Sequence, residues 1–190
     1  MSRAPRKVYT RKGDDGTTAL FHGGRVGKDA TGPVAYGAVD EAVSALGLAR
    51  ARAERGSELD GLLIRVQREL FVAGAELATD PGRRDRLEPG VSRVTREMVD
   101  ALEPIIDDVT TRFEPPQEFV LPGENPLAAA LDLARTVVRR AEQEAVAARR
   151  EGWLEDSFVV PYLNRLADLV WTLARWQEHG FRPVRTDDRD

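Results

Sequence analysis

The sequence predicts an all-α fold, a five-helix bundle preceded by an irregular glycine-rich arm. Three observations carry that expectation. Apolar residues recur at three-and-four spacing through five separate segments, Gly and Pro punctuate the joints between them, and no repeated strand pattern appears. The chain has 190 residues, enough for one domain with its own core, and 42% of them are apolar but only 6% aromatic, which suits helices packed with Leu, Val and Ala.

The first thirty-odd residues hold Gly13, Gly16, Gly23, Gly24, Gly27 and Gly32 with short β-prone scraps, and read as an ordered or orderable loop. From Pro33, the spacing of Val39, Ala42, Val43, Leu46 and Ala49 gives a first helix to about Arg55, closed by Gly56. Ser57 with Asp60 three residues later marks the next N-cap. Leu59, Leu63, Val66, Leu70, Ala73 and Leu77 extend that second helix until Asp80-Pro81-Gly82 stops it. A third helix carries Met98, Val99, Leu102, Ile105, Ile106 and Val109, and Pro104 inside it should kink or divide it. Asn125 as N-cap and Pro126 at the first helical position start a fourth helix that runs to about Arg150. The fifth begins near Pro161 and reaches Gly180. One domain is expected over 1–180, with 1–32 as its arm and 181–190 as a tail without order.

Composition excludes several chemistries. The chain has no cysteine, which removes disulfides, thiolate zinc sites and cysteine nucleophiles, and fits a reducing compartment. Its basic start has no apolar stretch of signal-peptide type, and no apolar run approaches membrane length, so a soluble cytoplasmic protein is expected. His22 and His179 make no metal motif, and no Ser-His-Asp order is apparent.

The net charge of −4 is unevenly spread: residues 1–28 contain every lysine in the chain, and seven basic groups there face only Asp14 and Asp15. That asymmetry fits a local anion site better than a broad nucleic-acid face, although charge alone favours a merely solvated terminus. A P-loop is absent, because His22 and Asp29 stand where it needs Gly and Ser or Thr. The ingredients of a phosphate cradle are nevertheless there: glycines exposing N–H groups, hydroxyls at Thr10, Thr17 and Thr18, and cations at Arg11, Lys12 and Lys28.

On the fourth helix Arg135, Arg139 and Glu142 share one face beside the core seam, and Arg139 with Arg140 can offer planar forks to phosphate. A surface ion-pair ladder fits the same spacing equally well. Asn164, Asp168 and Arg175 form a polar face on the fifth helix, where Asn164 is either a satisfied structural amide or a ligand contact. Asp40, near the start of the first helix, can answer an arginine of another helix or subunit, or simply favour the helix dipole.

Taken together, these blocks resemble the PduO-type ATP:cob(I)alamin adenosyltransferases. YTRKGDDGTT, RVGKD, YGAVDEAVSALGLA, VQRELFVAGAELAT, FVLPGENPLAAALDLARTVVRRAE and YLNRLADLVWTLAR follow that family's order and cover most of the chain apart from 82–116 and the tail. The resemblance implies a five-helix bundle assembling as a homotrimer with sites at subunit interfaces. It implies ATP binding by Thr10, Arg11, Lys12, Gly13, Asp14, Thr18, Lys28, Arg139, Glu142 and Asn164, to which the fork of Arg140 is added. It further implies an intersubunit Asp40–Arg135 ion pair on the corrinoid side, and Phe119 as the aromatic group that displaces the lower axial ligand of cobalamin.

The reaction so implied moves the 5′-deoxyadenosyl group of ATP to the cobalt of cob(I)alamin and releases triphosphate. Mg²⁺ would be carried on the ATP phosphates rather than by protein ligands. Co(I) is itself the nucleophile, so the lack of a Ser, Cys or general-base constellation is expected. Departures from the family pattern fall mostly on the corrinoid side: Glu124 and Asn125 after LPG, Asp132 for a His, Ala42-Val43 and Gln143, with Lys12 in the arm. They motivate an alternative, a non-catalytic ATP- or cobalamin-binding protein on the same scaffold. A third reading is a helical interaction module whose basic arm meets acidic partners.

Overall fold

The computed structural model describes residues 8–178 and 180–185. Six α-helices carry the chain: α1 (Thr31–Arg50), α2 (Glu58–Leu77), α3 (Arg96–Asp100), α4 (Glu103–Thr110), α5 (Pro126–Arg150) and α6 (Val159–Gln177). Two small antiparallel pairs accompany them, β1 (Thr17–Ala19) with β2 (Arg25–Gly27), and β3 (Val120–Leu121) with β4 (Arg182–Pro183).

Local chemistry explains most boundaries. The Ser57 hydroxyl accepts from the Asp60 N–H at 3.2 Å, while the Asp60 carboxylate reaches back to the Gly56 N–H at 2.9 Å, so α2 starts where the sequence places it. Asn125 Oδ1 accepts from the N–H groups of Leu127 and Ala128, and Pro126 opens α5 without losing a bond. The Asn125 amide also donates to the Gln177 carbonyl at 2.8 Å, pinning the start of α5 to the end of α6.

The third helix is divided, one of the two outcomes that Pro104 predicts, and three other expectations are corrected. The chain turns at Ala101–Leu102 and Pro104 sits in the first turn of α4, where its missing N–H is no loss. The first helix ends at Arg50, because Arg52 and Ala53 donate to carbonyls only three residues back and tighten the last turn. The last helix begins at Val159, whose N–H is capped by Ser157, and ends at Gln177. The stretch expected to lack order contributes β4, although 186–190 lie outside the described residues, as does His179.

Helix α5 packs between α1 and α6, and α2 packs on α1. Ala128, Ala134, Ala141, Ala145 and Ala148 are fully buried along α5, which lets neighbouring backbones approach closely. Leu46, Leu63, Leu70, Leu131, Leu163 and Leu166 fill the remaining core, each contributing about 1.5–3 kcal/mol by leaving water. Buried Glu76 accepts from Arg84 at 2.6 Å and from the Val94 N–H at 2.7 Å, so one carboxylate fastens the long connection between α2 and α3.

Candidate nucleotide and corrinoid site

The arm is an ordered hairpin docked on α2. Phe21 donates its N–H to the Ala78 carbonyl and Asp80 donates to that of His22, both at 2.8 Å, forming a clip between the hairpin bend and the end of α2. Gly23 makes the clip possible: its φ is +143°, and a Cβ there would lie 2.6 Å from the Asp80 Cβ.

Before the hairpin, residues 11–16 form turns, with Asp14 donating to the Arg11 carbonyl and Gly16 to that of Gly13. The Lys12 N–H faces Thr10 Oγ1 at 3.5 Å, and Arg11 takes a left-handed φ of 60°, a strained conformation for a side chain of its size. Lys28 Nζ donates to the Gly13 carbonyl at 2.7 Å, and Arg25 bonds Thr17 and the Lys12 carbonyl. Asp15 accepts from the Thr17 N–H and hydroxyl; those bonds, with Arg25 nearby, hold its carboxyl below the usual range. Tyr36 on α1 reaches Thr18 at 3.5 Å. Of the expected ATP set, Thr10, Lys12, Gly13, Thr18 and Lys28 therefore belong to one connected arm, with Arg11 and exposed Asp14 in the same turns.

The helical half gathers differently. Asn164 on α6 donates to Glu142 Oε1 on α5 at 3.0 Å. Arg139, one turn earlier on α5, is exposed and forms no hydrogen bond or ion pair with the described residues. Its neighbour Arg140 is taken by Glu41 of α1, so the two forks of the sequence are not equivalent.

Phe119 is 88% exposed, immediately before β3, and its carbonyl accepts from the Val184 N–H at 2.8 Å. It borders a cleft of about 520 Å³ that Asp132, Arg135, Trp171 and Arg175 also line. Arg135 stands 3.7 Å from Asp132, and its Nε is buried without an acceptor. Asp40 lies elsewhere: within the chain it makes no ion pair with Arg135, and it borders an apolar hollow beside Phe21, Tyr36 and Phe71. Among the described residues no group of three or more His, Asp or Glu is arranged to hold a metal ion.

Sequence reasoning missed Arg175 as a site residue. Its guanidinium is buried and binds Asp132 at 2.5 Å and Glu178 at 2.7 and 2.8 Å, with the Trp171 ring 5.7 Å away. Burial alone would lower its pKa, but the two carboxylates outweigh that and raise it. An Arg within an apolar helix stripe is the available signal, since such a group must be answered by acids.

Comparison with known proteins shows the family. The family model for cobalamin adenosyltransferase matches residues 8–177. A corrinoid adenosyltransferase of Citrobacter freundii is 44% identical over 172 residues, covering 90% of this chain and 95% of that protein. One from Mycobacterium tuberculosis is 42% identical over 171 residues, covering 89% and 87%. A PduO-type ATP:corrinoid adenosyltransferase from Lactobacillus reuteri, a variant with a phenylalanine replaced by alanine, was solved with cobalamin and ATP. It superposes with a TM-score of 0.83 at 31% identity, covering 95% of this chain and all of that one. A second variant of it, with an arginine replaced by lysine and ATP bound, gives 0.82 at 30% identity, covering 94% and 100%. The chain belongs to the cobalamin adenosyltransferase family.

Proposed function

We propose that this protein transfers the 5′-deoxyadenosyl group of ATP to cob(I)alamin, giving adenosylcobalamin and triphosphate. The observation that carries this reading is the contrast on α5: Glu142 is held by Asn164 while Arg139, one turn away, has no partner among the described residues. An arginine fork left unanswered beside an ordered polar pair suits a phosphate-bearing ligand. The variant corrinoid adenosyltransferase from Lactobacillus reuteri that this chain resembles, solved with cobalamin and ATP, points to the same chemistry.

In the reaction the electron pair of Co(I) forms the Co–C bond to the ribose 5′ carbon, and the C–O bond to triphosphate breaks. No side chain needs to act as nucleophile. The chain's task is to align cobalt, carbon and leaving oxygen, and to stabilise the departing polyanion. Arg139 and the arm cations Arg11, Lys12 and Lys28 suit the second task, with Thr10, Thr18, Gly13 and Asp14 fixing the arm around the phosphates. Arg140, bound by Glu41, serves at the margin. Mg²⁺ would ride on the triphosphate oxygens and neutralise charge there. A cytoplasmic location would suit ATP as co-substrate.

Phe119 offers the corrinoid an exposed aromatic face. Asp132 does not leave that cleft with an unanswered negative charge, because Arg175 neutralises it. A homotrimer is supported by the exposed Phe21 and Phe71 beside Asp40, which suit burial against a second copy and would bring Asp40 to a neighbour's Arg135. The test is an anaerobic assay with chemically reduced cobalamin, ATP and Mg²⁺, following adenosylcobalamin by absorbance and triphosphate by chromatography. Absence of both products, with cobinamide as well as cobalamin, would sink the proposal.

A further inference from the structure

Four charged side chains form an alternating line from the end of α6 to the cleft. Glu178, which caps the end of α6, binds Arg175 at 2.7 Å; Arg175 binds Asp132 at 2.5 Å; Asp132 stands 3.7 Å from Arg135. The first three side chains are no more than 5% exposed, whereas Arg135 is 28% exposed. Such a row costs much desolvation and would be replaceable by apolar packing if it served stability alone. It ends on an unsatisfied group, the buried Nε of Arg135, and that residue borders the same cleft as Phe119.

The row also sits where the two walls of the cleft are tied. Beyond Glu178 the chain returns as β4 against β3, directly after Phe119, and the Asn125 amide holds the last turn of α6 to the start of α5. Displacing Arg175 would therefore release Arg135 on one wall and the backbone carrying Phe119 on the other.

We infer that Asp132, Arg175 and Glu178 are positioning residues for the corrinoid, acting through Arg135 and the Phe119 wall. The inference rests on the cleft being the corrinoid side of the proposed reaction. It assigns the row no contact with ATP, since Arg139, Glu142 and Asn164 lie further along α5 and on the exposed face of α6.

The test uses the full chain, anaerobically, varying cob(I)alamin at saturating ATP and ATP at saturating cob(I)alamin. Turnover by the wild type comes first, because its failure overturns the functional reading rather than this inference. Asp132→Asn should raise the KM for the corrinoid about tenfold or more and leave that for ATP within about twofold, the scale expected when a reactant is misplaced by an ångström or less. The dissociation constant of cob(II)alamin, read from its absorbance, should rise with it. Glu69→Gln, which disturbs the buried Tyr162 hydrogen bond, supplies the purely structural comparison: a lower Tm with no selective corrinoid effect. Combining Asp132→Asn with Arg135→Ala should be no worse for the corrinoid than Arg135→Ala alone. Additive losses, equal rises in both KM values, or an unchanged corrinoid KM in a folded variant would each overturn the inference. Should Asp132→Asn fail to fold, Glu178→Gln, alone and with Arg135→Ala, decides by the same comparison.

Discussion

The Asn164 amide donates to Glu142 Oε1 at 3.0 Å and so joins α6 to α5 one turn beyond Arg139. The pair turns two flexible side chains into one fixed acceptor-and-donor edge, with the exposed Arg139 as the cation beside it. If that edge and that cation together receive ATP, they should fail in different ways.

Removing the cation is the first case. Arg139→Ala should weaken ATP by about 1.5–3 kcal/mol, the value of a hydrogen bond to a charged group. Arg149→Ala, on the last turn of the same helix and equally exposed, should change almost nothing. Calorimetry with ATP and Mg²⁺ reads both, and equal small losses would reduce the site to an electrostatic surface.

Breaking the edge is the second case. Glu142→Ala and Asn164→Ala should each weaken ATP, and the double variant should lose less than the two single losses combined, with a coupling of about 0.5 kcal/mol or more. Strict additivity would mean that the two residues meet the nucleotide independently or not at all.

The clip of the arm gives a third test. Gly23→Ala puts a Cβ 2.6 Å from that of Asp80 at a φ of +143°. The strain, on the order of 1–3 kcal/mol, should be relieved by releasing the hairpin from α2. Weaker ATP binding and faster proteolysis near residues 20–24 are expected, while the melting of the helices stays nearly unchanged.

Alkaline stability gives the fourth. Burial, then the adjacent Glu69 carboxylate, push the Tyr162 hydroxyl well above its ordinary pKa of 10.0. The folded state thus favours the neutral phenol more than the unfolded state does. The resulting stability is complete below about pH 10 and is lost as pH rises above it. Denaturant titrations at about pH 8 and about pH 11 should show that loss in the wild type, and Tyr162→Phe should remove most of it.

What the sequence revealed was whatever depends on near neighbours. Asn125 and Pro126 announce α5 because a cap bonds the next two or three N–H groups, and Pro104 announces the break before α4 because its missing N–H acts at once. The ATP set was reachable through resemblance; of its arm residues Thr18 lies in the hairpin, while 10–14 precede it and Lys28 follows it. The Asn164–Glu142 bond spans 22 residues and the Arg175–Asp132 pair 43, and nothing local to either residue names its partner. For the same reason β4 was read as tail: its strand character comes from Val120–Leu121, more than sixty positions earlier.

The clip at Phe21–Ala78 and His22–Asp80 has an entropic consequence. A free arm would have to surrender the freedom of its whole length when nucleotide arrives, at about 1–2 kcal/mol per residue. With the hairpin bend already pinned to α2, the described turns before β1 would be left to settle about a fixed point. On the proposed reading the nucleotide would meet a short flap on a hinge pin, and more of its binding energy would survive for holding triphosphate in line with cobalt.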